Sequence, residues 1–203
     1  EANIFGIHHS GSNENWLLSL SSETFADRHH TGTTTPYRSY DSSAKFRDPS
    51  AWYHLFLTCN SGSLTLRVNN VVMDTSRSQT SGMDRDFWIG SEAGGSGPMS
   101  GYLADTYFIQ GTVMNAVDDG FIRLNKDGVY VPDTPTISDY GTNGWHLTYD
   151  PAGVSGGSGA GASIGADHSG NGNHFTATNF NTAALKNYDS LVDTTNSGVY
   201  SND

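Results

Sequence analysis

Residues 47–73, RDPSAWYHLFLTCNSGSLTLRVNNVVM, constrain the fold of this chain more than any other stretch. From Trp52 to Cys59 the side chains alternate, with Trp52, His54, Phe56 and Thr58 on one face and Tyr53, Leu55, Leu57 and Cys59 on the other. Asn60-Ser61-Gly62-Ser63 follows, a cluster suited to a tight reversal. Leu64, Leu66 and Val68 then alternate with Thr65, Arg67 and Asn69, the pattern of a returning strand with one buried and one wet face. Asn69-Asn70 signals a second turn, because Asn tolerates positive φ, and Val71-Val72-Met73 begins another strand. The stretch reads as an antiparallel meander.

The rest of the chain fits β structure. Strands are expected at 15–20 and around 24–29, then a turn-rich segment at 31–43, a loop at 74–86 and a strand at 87–90. Gly94-Gly95-Ser96-Gly97-Pro98 reads as a surface loop. Val113, Val117, Phe121 and Leu124 fall at helical spacing, but Asp118-Asp119-Gly120 interrupts them, which limits this region to a short helical turn. Residues 145–149 read as a strand, 151–163 as a flexible Gly/Ser loop, and 181–203 as a tail without a pattern. The pattern is that of an all-β antiparallel chain with long loops and little helix, either one large β domain or one domain plus an appendage.

The order W-Y-H-x-F, turn, L-T-L-x-V-N-N-V-V resembles the concanavalin A-like, laminin G-like sandwich family, as does the later pair of strands in FWIGSEAGGSGPMSGYLADTYFIQG. The run Arg47-Asp48-Pro49-Ser50-Ala51-Trp52-Tyr53-His54 is similar to the variant of this fold in structural and tail proteins of tailed bacteriophages, especially those of cyanobacteria. The stretches YGTNGWHL at 140–147 and DHSGNGNHF at 167–175 support that variant, and the resemblance spans 36–180. It implies one elaborated domain over 1–203, an all-β antiparallel two-sheet jelly-roll sandwich, a place on a virion, and His54 packed beside Trp52 with a hydrogen-bonded ring.

Composition narrows the function. A net charge of −11 with only ten Lys and Arg residues argues against nucleic-acid binding, which needs clustered cations. No apolar run approaches the ~20 residues of a membrane span, so membrane insertion is not expected. No signal peptide is visible, and the start at Glu1 points to a processed product or a segment of a longer polypeptide. The single cysteine, Cys59, reads as a small buried hydrophobe.

The chemistry-bearing residues point to recognition rather than catalysis. The four glutamates, Glu1, Glu14, Glu23 and Glu92, show no i, i+4 or i, i+5 pairing of the kind that glucanases of this architecture use. Asp84 and Asp86 share a face if extended, and read as solubilising turn residues. The adjacent pairs His8-His9 and His29-His30 point to opposite faces of a strand and chelate poorly. Asp167, Ser169, Asn171 and Asn173 alternate through a Gly-spaced segment; Asp167, Asn171 and Asn173 are candidate calcium ligands, the alternative being a turn in which Asp and Asn cap their own backbone. Tyr37, Tyr40, Trp88, Tyr140 and Trp145 lie among Asn, Asp and Ser and are candidate platforms for sugar rings.

The resulting expectation is a non-enzymatic module of a phage virion that binds host cell-surface polysaccharide from a tail fibre or tail-associated protein. The alternative is a structural virion part that binds other virion proteins, and a glycan depolymerase comes third. Exposed strand edges favour a homo-oligomer in the first two cases.

Overall fold

In a computed structural model of the chain, the described residues are 2–8, 14–31, 38–41, 43–48, 50–78, 86–92, 97–149, 158–159 and 162–177. They are almost wholly strand, turn and loop, with one short 3-10 turn at Ala162–Gly165 as the only helical element among them. The chain divides into two compact units, Glu1–Gly101 with Val113–Thr136, and Tyr102–Thr112 with Ile137–Asp203. Among the described residues no helix is long and apolar enough to cross a membrane.

The first unit is built on two large antiparallel sheets, with a further two-stranded pair. Strands β1 (Ala2–His8), β2 (Glu14–Ser21), β3 (Thr24–Thr31), β4 (Arg38–Ser39) and β8 (Asp86–Ile89) form a five-stranded sheet in the order β4-β3-β2-β1-β8. Strands β5 (Leu55–Asn60), β6 (Ser63–Val68) and β7 (Val71–Ser78) form the meander expected from 47–73. Ile7, Trp16, Leu18, Phe25 and Tyr40 from the first sheet region pack with Leu64, Leu66 and Val68 from the second in one apolar core. Tyr53, Leu55, Leu57 and Cys59 join from the face of β5 that the alternation assigns to the interior. Phe25, Phe46 and Tyr53 stack around one another at centroid distances of 4.6, 5.3 and 6.4 Å. Such edge and tilted arrangements suit the ring quadrupoles.

Three two-residue hairpins set the registers. Ser61-Gly62 joins β5 to β6 and Asn69-Asn70 joins β6 to β7, all four residues with positive φ. That is the geometry whose twist matches right-handed strands. Ser22-Glu23 joins β2 to β3 in the same way, with φ of 50° and 65°, although neither residue favours it. The His54 ring stacks on Phe56 rather than Trp52, which is 65% exposed. Its Nδ1 is buried and has no hydrogen-bond partner among the described residues, where a bonded ring was expected. Phe56 in turn meets Phe121, edge to face at 5.2 Å.

Several local expectations shift. A strand at residues 2–8 is absent from the sequence reading, yet it is the pivot of the large sheet, pairing with both β2 and β8. The sheet thus draws on residues 2–31, ahead of the 36–180 span that carries the resemblance. Strand β7 runs on to Ser78, into the expected loop. The 113–124 region forms turns and then β10 (Ile122–Leu124), paired with β11 (Tyr130–Pro132), because Asn115 caps the turn by accepting from the Val117 and Asp118 amides.

The second unit is built on a two-stranded ribbon of β9 (Thr106–Phe108) and β12 (Trp145–Leu147). Strands β13 (Ser158–Gly159) and β14 (Thr176–Ala177) pair in parallel. Trp145, Leu147, Ile164, Ala166 and Ala177 are its buried apolar residues. Most of 151–163 and all of 181–203 lie outside the described residues.

Candidate functional site

Two of the expected sugar platforms are core residues. Tyr40 is 5% exposed within the sandwich core, and Trp145 is 1% exposed, packed against Phe108 at 6.0 Å and Phe175 at 5.0 Å. Their large apolar areas stabilise the interior and present no face to a ligand. Tyr37 lies outside the described residues, as does Asp84. Tyr140 is half-buried, and burial together with the Asp167 charge raises its hydroxyl above the ordinary phenol range.

The Asp167 segment is a self-capped turn. Asp167 Oδ1 accepts from the His146 and Ser169 amides at 2.9 and 2.8 Å. Its Oδ2 accepts from Ser169 Oγ at 2.8 Å and the Asn173 amide at 2.9 Å. Burial pushes this carboxyl up, but those four hydrogen bonds together hold it below the usual value. The carboxamides of Asn171 and Asn173 each donate Nδ2 to two carbonyls, among them Gly144 O at 2.9 Å from both. Calcium needs six to eight free oxygens. Here both carboxylate oxygens are filled by donors and the two Asn side chains turn nitrogen inward, so this donor set does not fit the ion. Among the described residues no group of His, Cys, Asp and Glu could hold a metal.

A polar cluster on the same ribbon is also tied inward. His146 stacks on Tyr107 at 4.0 Å, its Nε2 lies 3.4 Å from Asp105 Oδ1, and His168 Nε2 lies 3.2 Å from Thr148 Oγ1. Asp105 and Tyr149 adopt positive φ of 40° and 59°, and the Tyr149 hydroxyl bonds Thr106 Oγ1 at 2.6 Å. Burial pushes Tyr107 and Tyr149 up to about 12. These contacts explain how two strained backbones persist, and they are directed at one another.

Trp88 stands in a different setting. The face of the five-stranded sheet turned away from the core carries a row set by register: Trp88 opposite Gly6, Gly6 opposite Leu17, and Leu17 opposite Arg28. Because Gly6 has no side chain, the row dips beside the indole. The dip is a cleft of ≈ 10 Å³ lined by Gly6, His8, Leu17, Trp88 and Glu92, with Ile7 and Trp16 completing it. That volume holds about one water or one hydroxyl. The Arg28 guanidinium forms an ion pair with Glu92 across this face, both side chains partly exposed.

Three buried polar atoms on the same face have no hydrogen-bond partner among the described residues: Trp88 Nε1, Asn3 Oδ1 and Ser19 Oγ. Asn3 and Ser19 are register partners, and Asn3 Nδ2 is spent on Gly97 O at 2.8 Å. Buried donors and acceptors of this kind are normally satisfied by protein, water or ligand. Of this constellation the sequence reading singled out Trp88 alone. His8 and Glu92 figure there only as a chelator and as a catalytic carboxylate, and Gly6 and Arg28 give no signal, because Arg28 and Glu92 are 64 positions apart and the strand pairings alone bring them to one face.

Comparison with known proteins agrees with this architecture. Residues 1–116 of the 203 match the family model of the concanavalin A-like lectin/glucanases superfamily, of laminin G type. That span includes the five- and three-stranded sheets of the first unit and every residue that lines the Trp88 cleft. Neither the curated proteins nor the solved structures contain a match to this chain. With more than half of its length matched and strands β1–β8 arranged as two packed antiparallel sheets, the chain belongs to the concanavalin A-like lectin/glucanase superfamily.

Proposed function

We propose that this chain is a non-enzymatic carbohydrate-recognition module whose site is the Trp88 face of the five-stranded sheet. The carrying observation is Trp88 beside the Gly6 dip, with the Arg28–Glu92 pair on the same face. An indole supplies an apolar plane for the C–H face of a sugar ring, and an Arg–Glu pair supplies both donors and an acceptor for hydroxyls. The cleft accepts a single hydroxyl beside Trp88 Nε1, while the ring lies over its mouth. Glycoside hydrolysis needs two facing carboxylates. Among the described residues that line the cleft Glu92 is the one carboxylate, and it is engaged by Arg28.

The finer reading is host-surface polysaccharide recognition from a phage virion, supported by the similarity of the run 47–54 to phage structural and tail proteins. Binding to a polysaccharide array, lost in Trp88→Ala while the melting temperature holds, tests the site; release of reducing sugar from a bound polysaccharide would overturn the non-enzymatic reading. A second reading, a structural part that docks on other virion proteins or on copies of itself, is favoured by one observation. Val71 and Val72 on the edge strand β7 are 60% and 41% exposed, and an apolar edge is a template for association.

A further inference from the structure

We propose that the Trp88 site selects neutral glycans and discriminates against acidic ones such as uronates, an inference that rests on the recognition reading above. Among the described residues, Arg28 brings a guanidinium to this face, and it is paired with the Glu92 carboxylate that lines the cleft. The pair therefore offers polar groups of both kinds and no net positive charge. Asp86, exposed at the start of β8, sits one register row away opposite His8 and adds a negative charge to the same face. The chain as a whole carries −11. An anionic sugar approaching this surface meets a repulsive field, and to bond Arg28 it must displace Glu92. A neutral sugar faces neither cost. Its hydroxyls donate to Glu92 and accept from Arg28, which uses both partners of the pair without breaking it.

The test is calorimetric titration of the full chain with two neutral polysaccharides, dextran and galactan, and two acidic ones, polygalacturonate and alginate, at low and physiological salt. Binding to a neutral probe, with acidic probes weaker by about tenfold or more at low salt and less so as salt rises, is the expected result. Acidic probes binding as tightly as neutral ones would overturn the selectivity while leaving recognition intact. Binding to none of the four, with Trp88→Ala equally inert, would remove the recognition reading and this inference with it. Glu92→Gln supplies the internal control: it removes one negative charge from this face, so acidic probes should gain about fivefold, the range of a partly exposed charge pair. A Glu92→Gln variant that is folded by circular dichroism and shows no gain overturns the charge argument.

Discussion

Trp88 of β8 is the register partner of Gly6 of β1, and the two line one cleft on the outer face of the large sheet. The relationship makes opposite demands on the two positions: one must be a broad ring, the other must be empty. Trp88→Ala is expected to weaken carbohydrate binding by about 2 kcal/mol, roughly thirtyfold, as for other aromatic hot spots. Gly6→Val should reach a similar loss by filling the dip. A Cβ at Gly6 already comes within 3.1 Å of Leu17 Cδ1, which must give way. Titration of both variants against the polysaccharide that binds the parent chain checks the pair; a full-affinity Gly6→Val would show that ligand does not use the cleft.

Trp145 and Tyr40 provide the contrast. Both are buried, so their truncation acts on stability and not on a binding face. Trp145→Ala is expected to cost about 3–5 kcal/mol in the second unit through lost transfer free energy and the cavity left between Phe108 and Phe175. Thermal or denaturant unfolding followed by circular dichroism reads the loss directly. Sugar affinity, measured below the transition, should stay within about twofold of the parent, since substitutions at sites that share no partners act independently.

The meander was legible because each of its rules is local. Alternation over Trp52–Cys59 names the inward face, and Ser61-Gly62 and Asn69-Asn70 name the reversals, all within a few residues. The site was legible only at Trp88. Its partners come from β1, β3 and the segment after β8, and no spacing rule links Gly6, Arg28 and Glu92 before the strand order is known. Tyr40 and Trp145 failed for a related reason: Asn, Asp and Ser neighbours mark a turn, but a ring beside a turn can fold inward under it. Asp167 shows the same ambiguity in polar form. An oxygen-rich, Gly-spaced turn can gather a cation or its own amides, and here the amides and hydroxyl fill every position.

That filling makes a prediction about Asp167. Replacing it with Asn turns one acceptor into a donor that faces the Ser169 and Asn173 donors, and the cost is expected to be about 2–3 kcal/mol, typical of stranded buried partners. Chelator should leave the melting temperature of the parent chain unchanged, because an ion that stabilised the fold would do so by mass action. The carboxyl is held below its ordinary 3.8 in the folded chain, so its contribution is present above that value and disappears as pH falls through the lowered one. Melting curves with calcium, with chelator and for Asp167→Asn separate these effects.

The Ser22-Glu23 hairpin carries avoidable strain. Both residues hold positive φ, a conformation that Asn-Gly adopts at little cost. Glu23 also pairs with Arg47, but at side-chain exposures of 50% and 66% that pair is worth little. The double replacement Ser22→Asn with Glu23→Gly is therefore expected to stabilise the first unit by about 1 kcal/mol, less the small loss of the ion pair. Denaturant midpoints at unchanged slope decide it, and a lower midpoint would mean that the Glu23–Arg47 contact outweighs the turn.

Two half-buried histidines set the response to mild acid. Burial lowers His54, whose ring stacks on Phe56, and burial likewise lowers His146, although the Asp105 hydrogen bond and charge oppose it. In the unfolded chain both rings titrate near 6.5. As pH falls, the unfolded state takes up protons before the folded state does, so stability is full above that value and declines below it. The melting temperature should therefore drop between about pH 7 and pH 5, ahead of any carboxylate effect. His54→Phe keeps an aromatic ring against Phe56 and removes the orphaned Nδ1. In that variant the slope of melting temperature against pH should be shallower, and stability at about pH 5.5 should exceed that of the parent. An unaltered slope would assign the acid response to His146 and its neighbours on the ribbon instead.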